Sequence, residues 1–247
     1  MAEPPLAERL QALTPARLRL GRAGSAVPTR AHLSFQLDHA RARDAVWAPF
    51  QPGGLAEALG REVIEVRSQA ADRAEYLRRP DLGRQLDPAD AARLQRGDHH
   101  LAIVIADGLS AEAVHAHAAS LVLALLDRLA DWSIAPIVVA HQGRVAIGDP
   151  IGEALGARLA CVLIGERPGL SAPDSLGAYL TWQPVAGRQD SERNCVSNIR
   201  PPHGLAYAAA ADTIVRLLKA ARARGLTGIA LKDGPSALEP PGERSPA

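Results

Sequence analysis

The 247-residue chain is long enough for one large domain, or for a domain carrying a substantial extension. Its composition, 47% hydrophobic but only 3% aromatic, calls for a core of Ala, Leu, Val and Ile, which suits helices packed on a sheet better than an aromatic-rich sandwich. With 28 basic and 27 acidic residues the net charge is +1, so nothing points to nucleic acid or another polyanion, and the segment Arg216 to Arg224 reads as the solvated face of a helix.

Residues 1–15 carry several prolines and a short apolar helical pattern at Leu6, Leu10 and Leu13, the signature of a loosely docked extension. Residues 16–97 read as a mainly helical, strongly charged region. Thr29 is placed to cap a helix whose apolar positions Leu33, Leu37, Ala40 and Val46 approximate helical spacing. A short strand is expected at Val63 to Val66, and Asp87-Pro88 reads as a cap followed by a first-turn proline.

From residue 98 to 233 the pattern becomes that of an α/β domain. Leu101 to Ala106 is a continuous apolar run closed by Asp107-Gly108, as expected of a buried parallel strand. Ser110 can cap a helix from Ala111 to about Asp131. Ile134 to Ala140 is a second strand, Arg144 to Ile147 a short hairpin partner, Asp149-Pro150 the start of a helix, and Leu159 to Ile164 a third strand. The last helix runs from Leu205 to about Arg224 and stops at Gly225. This alternation predicts a Rossmann-like, open, mainly parallel sheet with flanking helices. The tail, 234–247, is rich in proline and reads as disordered.

Ligands of such sheets sit beyond the carboxyl ends of the strands. Candidate loops are Asp107 to Ser110, Gly143 to Gly156, and Gly165 to Leu170. Glycines 148, 152 and 156 lie near one helical face and serve either close packing on the sheet or close approach of a flat ligand. No phosphate-cradling glycine motif occurs, which argues against a stand-alone nucleotide-cofactor enzyme. Glu166, directly after a strand, could accept hydrogen bonds from ligand amides or pair with an arginine. Cys195 has no neighbouring base to activate it, so covalent catalysis is not expected. Nor are metal ligands: His115 and His117 are two residues apart on a helix and point to different sides, and adjacent His99 and His100 face different ways. Asp98-His-His100 begins like the Asp-x-His-x-x-Gly cobalamin motif, but Ile103 stands where the glycine should be. The longest apolar run, Leu121 to Leu126, falls far short of the roughly 20 residues of a membrane span. With two scattered cysteines and no signal peptide, a soluble, reducing, cytoplasmic setting is expected.

Several short segments together resemble the ethanolamine ammonia-lyase small subunit family. In family order they are Gly21-Arg-Ala-Gly24, Glu65-Val-Arg-Ser68, Arg79-Pro-Asp-Leu-Gly-Arg84 and Asp107-Gly-Leu-Ser110. Gly143-Arg-Val145, Ile151-Gly-Glu-Ala-Leu-Gly-Ala157, Gly165-Glu-Arg-Pro-Gly-Leu170 and Cys195-Val-Ser-Asn-Ile199 follow. The resemblance covers roughly Leu13 to Lys232. It implies adenosylcobalamin in the base-on form, shared with a larger barrel-shaped subunit and contacted here by Val145, Glu166 and Cys195. It also implies radical conversion of ethanolamine to acetaldehyde and ammonia. It places substrate binding and most catalytic residues in the large subunit, so none is assigned here, and this chain alone is expected to be inactive. Some family members carry a longer amphipathic extension for bacterial microcompartments; the short start of this chain points to plain cytoplasm. The competing readings are an adaptor subunit that never touches cobalamin and a member acting on another amino alcohol.

Overall fold

The computed structural model describes residues 24–232, together with positions 6, 9, 10, 13, 21 and 22. The extension expected at 1–15 and the tail expected at 234–247 therefore lie, almost wholly and wholly, outside the described residues.

The architecture is mixed α/β. Helices α1 (Thr29–Trp47) and α2 (Leu55–Leu59) lead to strand β1 (Val63–Arg67), then to helices α3 (Arg73–Arg78) and α4 (Pro88–Ala91). The chain continues through β2 (His99–Ala106), α5 (Ala111–Arg128), β3 (Ile137–His141), α6 (Gly148–Leu155) and β4 (Ala157–Gly165). It closes with β5 (Leu176–Trp182), β6 (Arg193–Ile199) and α7 (Tyr207–Arg224). One six-stranded sheet runs in the order β1-β3-β2-β4-β5-β6. The first four strands are mutually parallel, while β5 and β6 are added antiparallel at one side. Because β1 pairs with β3, the sheet draws a strand from the region before residue 98.

Alternation along the strands splits the core in two. Leu101, Ile103 and Ile105 of β2 join α5 and α7 on one face, and Ala102, Val104 and Ala106 join α6 on the other. The loops after β2 and β3 thus leave toward opposite faces, which opens a crevice at the carboxyl edge of the sheet.

Local signals explain most boundaries. The Ser110 hydroxyl accepts from the Ala113 amide, Asp87 accepts from Ala89 and Asp90, and Gly225 takes the left-handed conformation (φ 67°) that ends α7. Glycines 148 and 152 resolve in favour of packing. A Cβ at Gly148 would collide with Val162 of β4, and one at Gly152 would meet Pro184 Cγ at 2.5 Å.

Three expectations are corrected. Arg144 to Ile147 is not a hairpin strand. Val145–Ile147 forms a 3-10 turn, because the Arg144 amide already donates to Gly83 (2.7 Å) and the Ile147 amide turns back to Arg144. Thr29 does not cap α1: Pro28 holds that position and no side-chain cap bond forms. Leu33 and Leu37 lie on α1 as spaced, but both are exposed, so their spacing does not mark a core-facing stripe. Strands β5 and β6 also appear where no element was expected. Their runs, Leu176-Gly-Ala-Tyr-Leu-Thr-Trp182 and Arg193-Asn-Cys-Val-Ser-Asn-Ile199, mix glycine and polar residues because one face lines a cleft instead of a core.

A buried ion pair ties this antiparallel addition to the parallel sheet. Arg193 of β6 meets Asp149 of α6 through two parallel hydrogen bonds of 2.7 and 2.6 Å, with both side chains only 2% exposed. Arg193 also donates to the Thr181 hydroxyl and to the Arg188 carbonyl. Removing one partner strands the other charge in the interior. Arg193→Met is expected to lower unfolding stability by about 3–5 kcal/mol, and Arg193→Met with Asp149→Leu to recover much of that loss. Urea denaturation of the single and double variants measures both, and a single variant as stable as the parent would contradict the assignment.

Candidate ligand-binding cleft

Three loops and one face of two strands build the cleft. After β2, Gly108 sits at φ 56°, where a Cβ would run into the Gly165 carbonyl, and the Leu109 amide donates to that same oxygen (2.9 Å). The loops following β2 and β4 are thereby fixed against each other. Asp107 lies beneath them, accepting from the Gly143 amide at 2.9 Å and from Arg73 at 3.4 Å, so it also positions the loop after β3. Burial pushes its carboxyl above the ordinary carboxylate range, and the Arg73 charge opposes the shift.

The β4–β5 loop is pinned at several points. The Ser110 hydroxyl donates to the Pro173 carbonyl (2.8 Å), and Arg200 pairs with Asp174 (2.9 Å). Glu166 opens this loop. Its Oε2 accepts from the Ser175 hydroxyl at 2.5 Å and from the Asn198 amide at 3.2 Å. Among the described residues nothing donates to Oε1, which therefore remains available as an acceptor. Asn198 adopts φ 58°, a conformation that asparagine tolerates better than most residues and that turns its amide toward Glu166.

Residues paired directly across antiparallel strands share a face. Tyr179 pairs with Val162 on one side and with Cys195 on the other, so Tyr179 and Cys195 stand together. On the same face of β5, two residues before Tyr179, stands Gly177, where a Cβ would come within 2.9 Å of Glu166 Oε1 and 3.2 Å of its Cγ. The glycine leaves room for the carboxylate to lie over the strand.

Two adjoining hollows result. The first, about 370 Å³, is lined by Val145, Tyr179 and Cys195 together with Arg84, Arg144 and Arg193. The second, about 400 Å³, is lined by Glu166 with Tyr76, Gly108 and Arg167, and it shares Arg144, Val145 and Tyr179 with the first. Val145, Glu166 and Cys195, 50 residues apart in sequence at the extremes, are thus gathered around one tyrosine. Larger hollows of about 460 and 540 Å³ elsewhere contain none of the three.

Sequence reasoning missed Tyr179, Arg144 and the Arg193–Asp149 pair. Arg144 and Arg193 stood inside matched or adjacent segments, Gly143-Arg-Val145 and Arg193-Asn-Cys195. Only the register of β5 against β6 picks out Tyr179. The histidines have structural partners: His115 accepts from the Gln51 amide, His100 from the Ser133 amide, and His117 meets the Tyr207 hydroxyl at 2.8 Å. Among the described residues no three His, Cys, Asp or Glu side chains gather so as to hold a metal ion, and no helix is long and apolar enough to cross a membrane.

Fold and cleft define a mixed α/β protein with an open ligand cleft at the carboxyl edge of its sheet. The chain belongs to the ethanolamine ammonia-lyase light chain family, whose model matches residues 5–232. A relative from Bradyrhizobium diazoefficiens named ethanolamine ammonia-lyase small subunit is 58% identical, covering 94% of each chain. Relatives of the same name from Azotobacter vinelandii and Ralstonia nicotianae are 54% and 51% identical, each covering 92% of this chain and 87% of the relative.

The two cysteines differ in a way that can be measured. The Cys195 residue is exposed, but desolvation of its thiol pushes the pKa above the ordinary 9.0; the Tyr179 hydrogen bond opposes this and the Glu166 charge adds to it. Cys161 is fully buried and is pushed up to about 12. A raised pKa means less thiolate at neutral pH. Iodoacetamide is therefore expected to label Cys195 slowly at pH 7 and faster as pH rises past 9, while Cys161 stays unlabelled until the protein unfolds. Intact-mass analysis across pH checks this, and rapid labelling at pH 7 would contradict it.

Proposed function

We propose that this chain is the small subunit of an adenosylcobalamin-dependent ethanolamine ammonia-lyase, holding one side of the cofactor against a large catalytic subunit. The observation that carries this reading is the convergence of Val145, Glu166 and Cys195 around Tyr179 in one open cleft. Family membership supports it independently.

The donor set suits such a ligand. A cobalamin presents apolar edges, amide side chains and a phosphodiester. The cleft offers an apolar wall in Val145, a carboxylate acceptor in Glu166 Oε1 for amide N–H groups, polarisable sulfur in Cys195, and arginine donors. No histidine lines either hollow, consistent with the base-on form, which keeps its own lower ligand. Each hollow is near the lower end of the roughly 300–1,000 Å³ range of closed small-molecule sites. A ligand as large as adenosylcobalamin would leave most of its surface outside them, which argues for a second wall supplied by a partner.

When bound, adenosylcobalamin supplies the radical chemistry that converts ethanolamine to acetaldehyde and ammonia. This chain's own residues bind and orient. Glu166, held by Ser175 and Asn198, fixes an amide edge, while Val145 and the Tyr179–Cys195 pair set how deeply the ligand sits. All three contacts fall within 98–233, which we read as a Rossmann-like, cobalamin-contacting domain. The 16–97 region adds Tyr76 and Arg84 to the lining. No proton-transfer step is assigned to this chain, and by itself it is inactive. We read its place as the cytoplasm.

Reconstitution tests the reading. This chain, the large subunit from the same organism, adenosylcobalamin and ethanolamine are expected to yield acetaldehyde only when all are present. Glu166→Ala is expected to weaken cobalamin retention by the two-subunit complex roughly tenfold or more. A complex that retains cofactor equally with Glu166→Ala would favour the adaptor reading. Retention without turnover of ethanolamine would point to another amino alcohol.

A further inference from the structure

Arg144 differs from the other arginines of the cleft. Arg84 pairs with Asp190 at 3.1 Å, Arg193 with Asp149 at 2.6 Å, and Arg73 reaches Asp107 at 3.4 Å. Arg167 is exposed, so water satisfies its donors. Arg144 is half-buried, no described carboxylate lies within ion-pair distance of it, and its Nε–H is buried without an acceptor. Arg73 and Arg193 each leave a nitrogen unpaired as well, but their guanidinium charge is already met by a carboxylate. A half-buried cation with no carboxylate beside it costs free energy, and an acceptor arriving in the cleft relieves that cost.

What holds Arg144 is not another charge. Its guanidinium carbon lies 4.3 Å from the centre of the Tyr76 ring, a cation–π contact. Its amide donates to Gly83, and the fit there is close enough that a Cβ on Gly83 would meet Arg144 Cγ at 3.0 Å and Tyr76 Cε2 at 2.8 Å. Tyr76 is itself fixed, buried, with its hydroxyl donating to the Gly143 carbonyl at 3.0 Å. The result is a firmly held guanidinium on the wall common to both hollows, directly before Val145.

We propose that Arg144 is a ligand-recognising cation, donating from the terminal nitrogens of its guanidinium to an oxygen acceptor of the bound group. The inference rests on the cobalamin reading above. Such a cofactor offers that chemistry in two places, the phosphodiester of its nucleotide loop and the carbonyls of its amide side chains. Arginine's planar fork suits both and is not replaced by lysine.

Equilibrium binding of cyanocobalamin to the two-subunit complex, followed by absorbance and with assembly checked by gel filtration, tests it. Arg144→Met is expected to raise Kd roughly tenfold to a hundredfold, and Arg144→Lys several-fold, in complexes of unchanged size. An assembled Arg144→Met complex that binds within about twofold of wild type overturns the proposal. Should that variant fail to assemble, unchanged binding by Arg144→Lys overturns it. Cobinamide, which lacks the nucleotide loop, locates the acceptor. Wild type binding it more tightly than the variant assigns an amide carbonyl; wild type binding it no better assigns the phosphodiester. A wild-type complex that does not bind cyanocobalamin at all refutes the cofactor reading before Arg144 is in question.

Discussion

The cleft depends on one buried ion pair. Arg193 and Asp149 face each other at hydrogen-bond distance with almost no water contact, joining β6 to the first turn of α6. Without it, the antiparallel strands would keep the β4–β5 ladder and their apolar packing on α5 and α7, but would lose the charged tie between β6 and α6. A desolvated pair of this kind adds little net stability compared with apolar residues of equal size, but it is intolerant of losing one member. Its geometric consequence is specific. Thr181 and Arg193 are paired across β5 and β6, and two residues further along each strand toward the cleft stand Tyr179 and Cys195. The pair therefore sets where Cys195 sits relative to Val145, which lies just before the same helix.

The second constraint is space. Glycine at 108 lets the loops after β2 and β4 touch, glycine at 177 lets the Glu166 carboxylate lie over β5, and glycine at 83 lets Arg144 rest on Tyr76. Each is a position where a side chain would displace a polar group that lines the cleft. The opposite side is left open. An open, strongly polar, arginine-lined half-site on a rigid sheet edge is what a subunit sharing its ligand with a partner would present, and Leu33, Leu37 and Trp47 of α1 are exposed as well.

The parallel part of the fold was legible from the sequence because its strands are buried on both faces. Leu101 to Ala106 and Leu159 to Ile164 are continuous apolar runs closed by Asp-Gly and Gly-Glu, a pattern that few other structures produce. The antiparallel part was not. One face of β5 and β6 carries Gly177, Tyr179, Thr181, Arg193 and Cys195, chosen for the cleft, so the hydrophobic alternation that marks a strand is broken. The same cause hid Tyr179: its role follows from register, a relation between strands absent from local pattern. Val145, Glu166 and Cys195 were reached through family resemblance. Position alone drew attention to Glu166, as the first residue after a buried strand, but weighed against a ligand role there, with pairing to an arginine as the plainer alternative. The structure gives Glu166 a serine hydroxyl and a backbone amide instead, leaving one oxygen free to accept.

The central claim is that this cleft holds one side of a corrinoid, and the most direct measurement is a cryo-electron-microscopy map of this chain with its large subunit and bound cobalamin. The account predicts corrin density lying over Tyr179, in contact with Val145, Glu166 and Cys195, with its other side covered by the partner. Cobalamin held wholly by the large subunit, with water filling the space between Glu166 and Cys195, would contradict it.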